Sequence, residues 1–343
     1  MRRLRTVGAF VAWAYLATLV VVIAMLRLAA PRLWQAELGL YVPRLLFAAP
    51  LPIVTILLLA LRLRRALLTQ VAAAGLVLFP LMGLELPSLQ PPLNPQAPPF
   101  RVLSYNPNFA AGGQDAIVRE ITAIDPDVAL FQQLFFTDHL TKALRAKYAD
   151  IRTDGEFFIA SRFPIRSTEV PDRLSYQRRA RSPRFIRYQV DSSFGPLVIY
   201  NVHPASPSAQ IAAARSGGFR HAIRSGALFS LAPRPDIEGD SGLRALQVLT
   251  MTRMADRETL PLIIAGDTNL PTLSPSLARF AKYQDGFDEA GSGFGYTFPS
   301  DRPWMRIDRI FASEHLQFRS FGVGCGLVSD HLCVYADLQK AVD

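Results

Sequence analysis

Three long stretches without a charged residue open this chain: Val7–Leu26, Leu45–Leu61 and Ala66–Leu84. Each approaches the ~20 apolar residues needed to cross a hydrocarbon core. The middle stretch is the shortest, and it gains length by reaching back past Arg44 if that side chain snorkels to the interface. A buried core helix would account for one such stretch; three in succession point to a membrane region. The start Met1-Arg-Arg-Leu-Arg5 looks like the basic leader of a signal peptide. Against cleavage stand the length of the first run, the two runs that follow, and the poor site Arg27-Leu-Ala-Ala30. Residues 1–85 are therefore expected to hold three transmembrane helices, at about 7–26, 40–61 and 66–84, that anchor the chain in a lipid bilayer.

This region also explains the charge. The formal net charge is +9, but residues 1–99 hold nine arginines against Glu37 and Glu85, a net of +7. The other 244 residues carry 28 basic and 26 acidic groups, a net of +2. The basic balance thus follows the apolar runs and argues against a nucleic-acid-binding domain. Arg2, Arg3 and Arg5 precede the first run, and Arg62, Arg64 and Arg65 separate the second from the third. The positive-inside rule puts both clusters in the cytoplasm. An odd number of spans then places the C-terminal part outside it, on the periplasmic side of an inner membrane if the cell is bacterial. An oxidising compartment there would permit a disulfide between Cys325 and Cys333. Two separately buried thiols are an equal alternative.

Residues 86–99 are rich in proline and form a semi-rigid spacer. After it, strand-like and helix-like patterns alternate. Strands are expected at Phe100–Tyr105, Asp127–Gln132, Glu156–Ala160, Phe185–Val190, Leu197–Val202, Leu262–Ala265, Arg306–Ala312 and Leu332–Leu338. Helices are expected at Gln114–Ile124, Thr137–Tyr148 and Gly242–Asp256. Residues 100–343 therefore read as a layered α/β sandwich. The stretch Ala205–Ser241, rich in Gly, Ser, Ala and Pro, interrupts the pattern as a long loop or lid.

Polar residues end several of the apolar strands. They are Ser104-Tyr-Asn106, Gln132-Gln133, Asn201-Val-His203, Gly266-Asp-Thr-Asn269, Arg306-Ile-Asp-Arg309 and Ser329-Asp-His331. Strand ends of a sandwich can converge on one rim. Carboxylate and amide oxygens there suit a hard divalent cation, and a carboxylate with a histidine supplies acid–base chemistry. In this order, with Gly155-Glu-Phe-Phe-Ile-Ala-Ser-Arg-Phe-Pro-Ile165 between them, the segments resemble the endonuclease/exonuclease/phosphatase (DNase I-like) superfamily over about Phe100 to Leu338. Apolar runs before such a domain resemble a bacterial membrane-bound subgroup of it.

The resemblance implies a four-layer α/β sandwich and a metal-dependent phosphoesterase acting by in-line attack of water, with Mg2+ or Mn2+ as cofactor. It implies that Asp267 activates water with help from Asn269, that His331 contacts the scissile phosphate with Asp308 as its partner, and that His203 is a second phosphate contact. Asn106 and Asp330 lie near the metal by the same reasoning. Gln133 stands where the family carries Glu, its principal metal ligand. Loss of that charge leaves three outcomes: a weaker but working site, replacement by another acid such as the nearby Asp154 or Glu156, or a domain that binds a phosphorylated ligand or partner without turnover. The substrate is a phosphoester, with a lipid favoured over nucleic acid, and no segment carries a readable specificity code. The arginines from Arg173 to Arg187 are either a solvated basic face or an anion-binding wall.

Overall fold

Alternation with a period of two runs through the central strands of the C-terminal part and determines how it is layered. In the computed structural model, residues 1–30, 33–88, 94, 98–207, 224 and 234–341 are described. Most of the expected spacer (89–93 and 95–97) and of the expected lid (208–223 and 225–233) lies outside them.

One six-stranded sheet joins β1 (Phe100–Tyr105), β2 (Val128–Phe131), β3 (Asp150–Asp154), β4 (Phe157–Ser161), β13 (Leu316–Gly324) and β14 (Cys333–Lys340) in the order β13-β14-β1-β2-β4-β3. The other joins β5 (Ile165–Glu169), β8 (Phe185–Ser192), β9 (Gly195–Val202), β10 (Leu262–Asp267), β11 (Gln284–Asp285) and β12 (Asp308–Ala312) in the order β11-β12-β10-β9-β8-β5. A short hairpin, β6 (Leu174–Tyr176) and β7 (Arg179–Arg181), stands apart from both.

Alternate residues face inward between the sheets. Phe100 and Val102 of β1, Val128 and Leu130 of β2, Leu197 and Ile199 of β9, Ile263 and Ala265 of β10, and Ile310 and Ala312 of β12 form one buried core. The opposite face of the first sheet, with Leu103, Ala129 and Phe158, packs on Ile117 and Ile121 of helix Gln114–Ile124 and Leu140 and Leu144 of helix Asp138–Leu144. The opposite face of the second, with Val198, Tyr200 and Ile264, packs on Val248, Met251 and Ala255 of helix Pro235–Ala255. The order helix, sheet, sheet, helix is the expected four-layer sandwich.

The N-terminal part forms a compact unit of its own, residues 1–85 together with described parts of 207–239 and 271–275. Its helix Arg2–Leu28 is the one described helix long and apolar enough to cross a membrane. Val7, Phe10, Trp13 and Val21 on it are all more than half exposed. The second expected span begins later than expected: residues 40–44 are not helical, and the helical stretch is Leu45–Ala60. Arg44 does not snorkel outward; its guanidinium donates to the carbonyls of Gly39 and Leu40, both at 2.7 Å, which close helix Trp34–Gly39. The third is Leu67–Leu81, whose last turn widens into a π-helix around Pro80. At about 1.5 Å per residue, these two helices of 10–17 residues fall short of a hydrocarbon core of about 30 Å.

Of the two readings of the cysteines, the disulfide holds. Cys325 and Cys333 are bonded, with Cα atoms 5.3 Å apart, and both are buried under the first sheet. Closing a loop with a sequence separation of 8 restricts the unfolded chain by about 2–3 kcal/mol. Reduction, or Cys333→Ser, is expected to lower stability by that amount in urea unfolding of the detergent-solubilised protein.

Candidate active site

The inward-facing rows do not stay apolar to their ends. The row of β1 continues from Phe100 and Val102 into Ser104 and Asn106; that of β2 ends in Gln132; that of β9 ends in Asn201 and His203; that of β10 ends in Asp267. The row of β12 begins with Asp308, which pairs in register with Asp267 across the antiparallel ladder. The same periodicity that builds the core therefore delivers these polar groups to one end of the space between the sheets.

A floor of neutral amides separates the core from the charged groups. Gln132 Nε2 donates to Asn201 Oδ1 at 2.7 Å and to Ser104 Oγ at 3.2 Å. Asn201 Nδ2 in turn donates to the Phe131 carbonyl at 3.0 Å. These bonds tie β2 of one sheet to β9 of the other, and they leave the buried Gln132 Oε1 without a hydrogen-bond partner among the described residues.

Above that floor lies Asp267, only 2% exposed. Asn106 Nδ2 donates to its Oδ2 at 3.0 Å, and the backbone N–H of Asn269 donates to its Oδ1 at 3.0 Å. Asn269 sits at φ +53° and sends its own amide to the Pro204 carbonyl at 3.0 Å, so it holds the loop that carries Asp267. Two imidazoles present Nε2 to the same carboxylate oxygen, His203 at 3.6 Å and His331 at 3.7 Å. Both gaps exceed a hydrogen bond. His203 Nε2 is buried and has no hydrogen-bond partner among the described residues.

Each histidine is fixed from its other side. His331 Nδ1 meets Asp308 Oδ2 at 3.0 Å and Oδ1 at 3.2 Å, and Phe298 lies against the ring with centroids 4.8 Å apart. Burial by itself would lower the His331 pKa, but Asp308 and Asp267 outweigh it and raise it to about 9. The imidazole is therefore cationic at neutral pH and offers Nε2–H as a donor. Glu156 Oε2 at 3.0 Å and Arg184 Nη2 at 2.5 Å both approach His203 Nδ1, which donates to the first in one tautomer or accepts from the second in the other. Arg184 grips Glu156 with both nitrogens, at 2.9 and 2.6 Å, and its carbonyl accepts the His203 backbone N–H at 2.9 Å. Burial would raise the Glu156 pKa, but His203 and Arg184 together hold it below the ordinary glutamate value.

The structure thus brings Asn106, His203, Asp267, Asn269, Asp308 and His331 together. Asp330 is exposed, beside Ser329, whose Oγ lies 3.3 Å from its carboxylate. Gln133 is half-buried in a left-handed turn, φ +52°, and among the described residues its side chain makes no hydrogen bond. The sequence offers Glu156 as a replacement metal acid and Arg184 as one of a run of arginines; the structure instead pairs the two with each other and with His203. Glu156 only precedes its strand, and Arg184 sits within a run of arginines; their convergence on His203 needs the pairing of β8 with β9. Arg306 and Arg309, which flank Asp308, pair instead with Asp288 and Asp285 at 2.9 and 2.5 Å.

Ligand atoms of Asp267, Asp308 and His331 lie within 4.8 Å of one another, a candidate metal site. Two carboxylates and the acceptor capacity left on Asp267 suit a divalent cation. His331, protonated and engaged by Asp308, suits hydrogen-bond donation better than ligation.

Residues 102–331 match the Endonuclease/Exonuclease/phosphatase family. No curated protein matches the chain. Among solved structures, an endonuclease/exonuclease/phosphatase family protein from Bacteroides thetaiotaomicron is similar at 17% identity and TM-score 0.52, over 72% of this chain and 100% of that one. An endonuclease/exonuclease/phosphatase from Beutenbergia cavernae is similar at 17% identity and TM-score 0.50, over 71% and 72%. A humanized D. rerio TDP2 carrying 14 mutations is similar at 18% identity and TM-score 0.50, over 71% and 99%. At these identities the likeness is one of fold.

Two outcomes test this arrangement. The raised His331 pKa means that the contribution of His331 is full below pH 6.5 and is lost as pH rises through about 9, and Asp308, whose pKa burial raises, adds a loss of stability as pH rises above the ordinary aspartate range. Urea stability of the wild type is expected to decline over that window more steeply than that of Asp308→Asn, and Asp308→Ala is expected to cost about 3–5 kcal/mol. A Cβ at Gly266 would meet the Val202 carbonyl oxygen at 1.9 Å. Gly266→Ala is therefore expected to force the end of β10 away from β9, destabilising the domain by about 1–3 kcal/mol and displacing Asp267; unfolding and activity measurements read both.

Proposed function

The chain belongs to the Endonuclease/Exonuclease/phosphatase family, and from that premise we propose that it is a divalent-metal-dependent phosphoesterase that hydrolyses its substrate by direct attack of water on phosphorus. The observation that carries this reading is a buried carboxylate, Asp267, facing two imidazole Nε2 atoms, one of them without a hydrogen-bond partner among the described residues. A phosphoryl group has oxygens for both imidazoles.

Asp267 keeps free acceptor capacity after Asn106 and Asn269 have bonded to it. It can orient the attacking water and take its proton. His331 donates through Nε2 to a phosphoryl oxygen or to the departing oxygen, and Asp308 holds its tautomer and balances its charge. His203 supplies a second contact, fixed by Glu156 and Arg184. Asp267 and Asp308, the two carboxylates of the cluster, would hold Mg2+ or Mn2+. When bound, the cation supplies charge neutralisation at the phosphate and acidifies water.

A second reading is favoured by one residue. Gln133 carries no charge where the family places its ligand Glu, and its side chain reaches no partner among the described residues. On this reading the domain binds a phosphorylated ligand without turning it over.

We further propose that Arg2–Leu28, with the two shorter apolar helices, anchors the chain in a membrane, with the C-terminal domain outside the cytoplasm. The apolar, exposed surface of that helix supports the anchor. The arginine clusters and the Cys325–Cys333 disulfide support the orientation.

The test is hydrolysis of bis-p-nitrophenyl phosphate by the full chain in phosphatidylcholine nanodiscs with Mg2+ or Mn2+. Asp267→Ala and His331→Ala are expected to lose about 100-fold or more in kcat, and Gln133→Glu is expected to tighten metal binding. Metal-dependent turnover no greater than that of His331→Ala would sink the enzyme reading; a large gain confined to Gln133→Glu would favour the second.

A further inference from the structure

We propose that the Cys325–Cys333 disulfide is a positioning element for His331, so that the site is complete only once the bond has closed; this rests on the phosphoesterase reading above. Strands β13 and β14 end at the pair Gly324 and Cys333, and residues 325–332 connect them. His331 lies on this connection, two residues before Cys333. The disulfide therefore closes the base of the loop that presents an imidazole to Asp267.

The two halves of the loop are held differently. Hydrogen bonds hold the half that carries His331. Ser329 Oγ donates to the Asn106 carbonyl at 2.8 Å and accepts the His331 N–H at 3.2 Å. Ser300 donates through its N–H to the Asp330 carbonyl at 2.7 Å and through Oγ to the Ser329 carbonyl at 2.5 Å. The Leu332 N–H donates to the Thr297 carbonyl at 2.8 Å. The other half lacks such ties: among the described residues, Gly326, Leu327 and Val328 make no hydrogen bond to any segment outside the loop. Leu327 is 73% exposed, and Val328 packs half-buried on the core beneath.

That second half is also the strained one. The chain leaves β13 through two successive left-handed residues, Cys325 at φ +69° and Gly326 at φ +47°. Glycine accepts such a backbone, whereas a residue with a Cβ needs its surroundings to hold it there. Around Cys325 that hold is the disulfide, buried among Leu103, Tyr105 and Ile117. Without the bond Cys325 relaxes towards an ordinary φ, and the chain that follows is re-aimed. Three residues, Gly326, Leu327 and Val328, separate it from Ser329. The change is thereby transmitted to Ser329 and on to the His331 backbone. His331 Nδ1 has to stay at 3.0 Å from Asp308 for its Nε2 to face Asp267.

Closing the bond passes two electrons and two protons from the two thiols to a disulfide oxidant, leaving one S–S bond in the chain and two thiols on the oxidant. A chain still in a reducing compartment carries an unfinished site, in keeping with the orientation proposed above.

The test compares the full chain in phosphatidylcholine nanodiscs with Cys325→Ser/Cys333→Ser and with Gly326→Val. The second variant keeps the bond but drives the start of the loop out of its left-handed conformation. All are read where their unfolding curves show them folded, and if the serine pair does not fold, Gly326→Val carries both readings. Labelling by diethyl pyrocarbonate, quantified by peptide mass, is expected to be about tenfold faster at His331 in the variants and unchanged at His203, because the loop opens locally. A disulfide that only stabilised the domain would raise both histidines together or neither. With bis-p-nitrophenyl phosphate, kcat is expected to fall by about 10- to 100-fold with KM changed little, the size of loss that a displacement of about 1 Å causes. The serine pair is expected to add nothing to His331→Ala, since both act through one group. Wild-type labelling at His331, a parallel rise at His203, or a kcat loss that adds in full to His331→Ala overturns the inference. Labelling needs no turnover, so a wild type that hydrolyses nothing sinks the phosphoesterase reading while the positioning of His331 is still decided.

Discussion

Asp267 is a carboxylate at 2% exposure between two β-sheets, and much of the surrounding structure exists to make that position tolerable. Burying a charge is costly unless hydrogen bonds and opposite charge replace water. Asn106 and the Asn269 backbone supply the bonds, and the His331 imidazolium supplies the charge. His331 needs Asp308 in turn, and Asp308 is held opposite Asp267 by the β10–β12 ladder. The cluster is thus a closed circuit in which no charged member is stable alone. The amide floor of Gln132, Asn201 and Ser104 divides it from the apolar core without adding a further charge.

Gln133 belongs to a different part of this arrangement. It follows Gln132, so the β-strand alternation turns it away from the row that faces between the sheets, and a left-handed turn begins at it. The residues that grip one another around Asp267 therefore do not depend on what stands at 133. An amide there removes a negative charge without leaving a buried partner unsatisfied. This is why the cluster around Asp267 closes on itself without a charge at position 133.

The central strands were legible because each is buried on both faces and reads as an apolar run. Strands β1, β2, β4, β8, β9, β10, β12 and β14 all lie close to where the pattern places them. The strands that the pattern misses within the two sheets are β3, β13, β5 and β11, and these are the four edges. An edge strand is half solvated and tolerates polar residues, so Asp150–Asp154 and Ile165–Glu169 do not stand out from loops. Among site residues, those ending an apolar strand were visible: Asn106, His203, Asp267 and His331 interrupt a pattern. Glu156 and Arg184 were visible only as a nearby acid and a member of an arginine run, and their place at His203 emerges only when β4, β8 and β9 are laid side by side.

Determined by the sequence alone were the apolar, basic N-terminal region, the layered α/β domain, and the polar residues at the ends of its strands. Each follows from local periodicity and composition, which the chain carries at every point along its length. Tertiary structure alone decided which of those residues meet. It joined Cys325 to Cys333, turned Arg44 inward onto helix carbonyls, gave His203 its Glu156–Arg184 clamp, and left Phe109, Phe135 and Phe136 exposed. The physical reason is distance along the chain: Asn106 and Asp267 are 161 residues apart in sequence and one hydrogen bond apart in space, and only the pairing of strands can convert the first separation into the second.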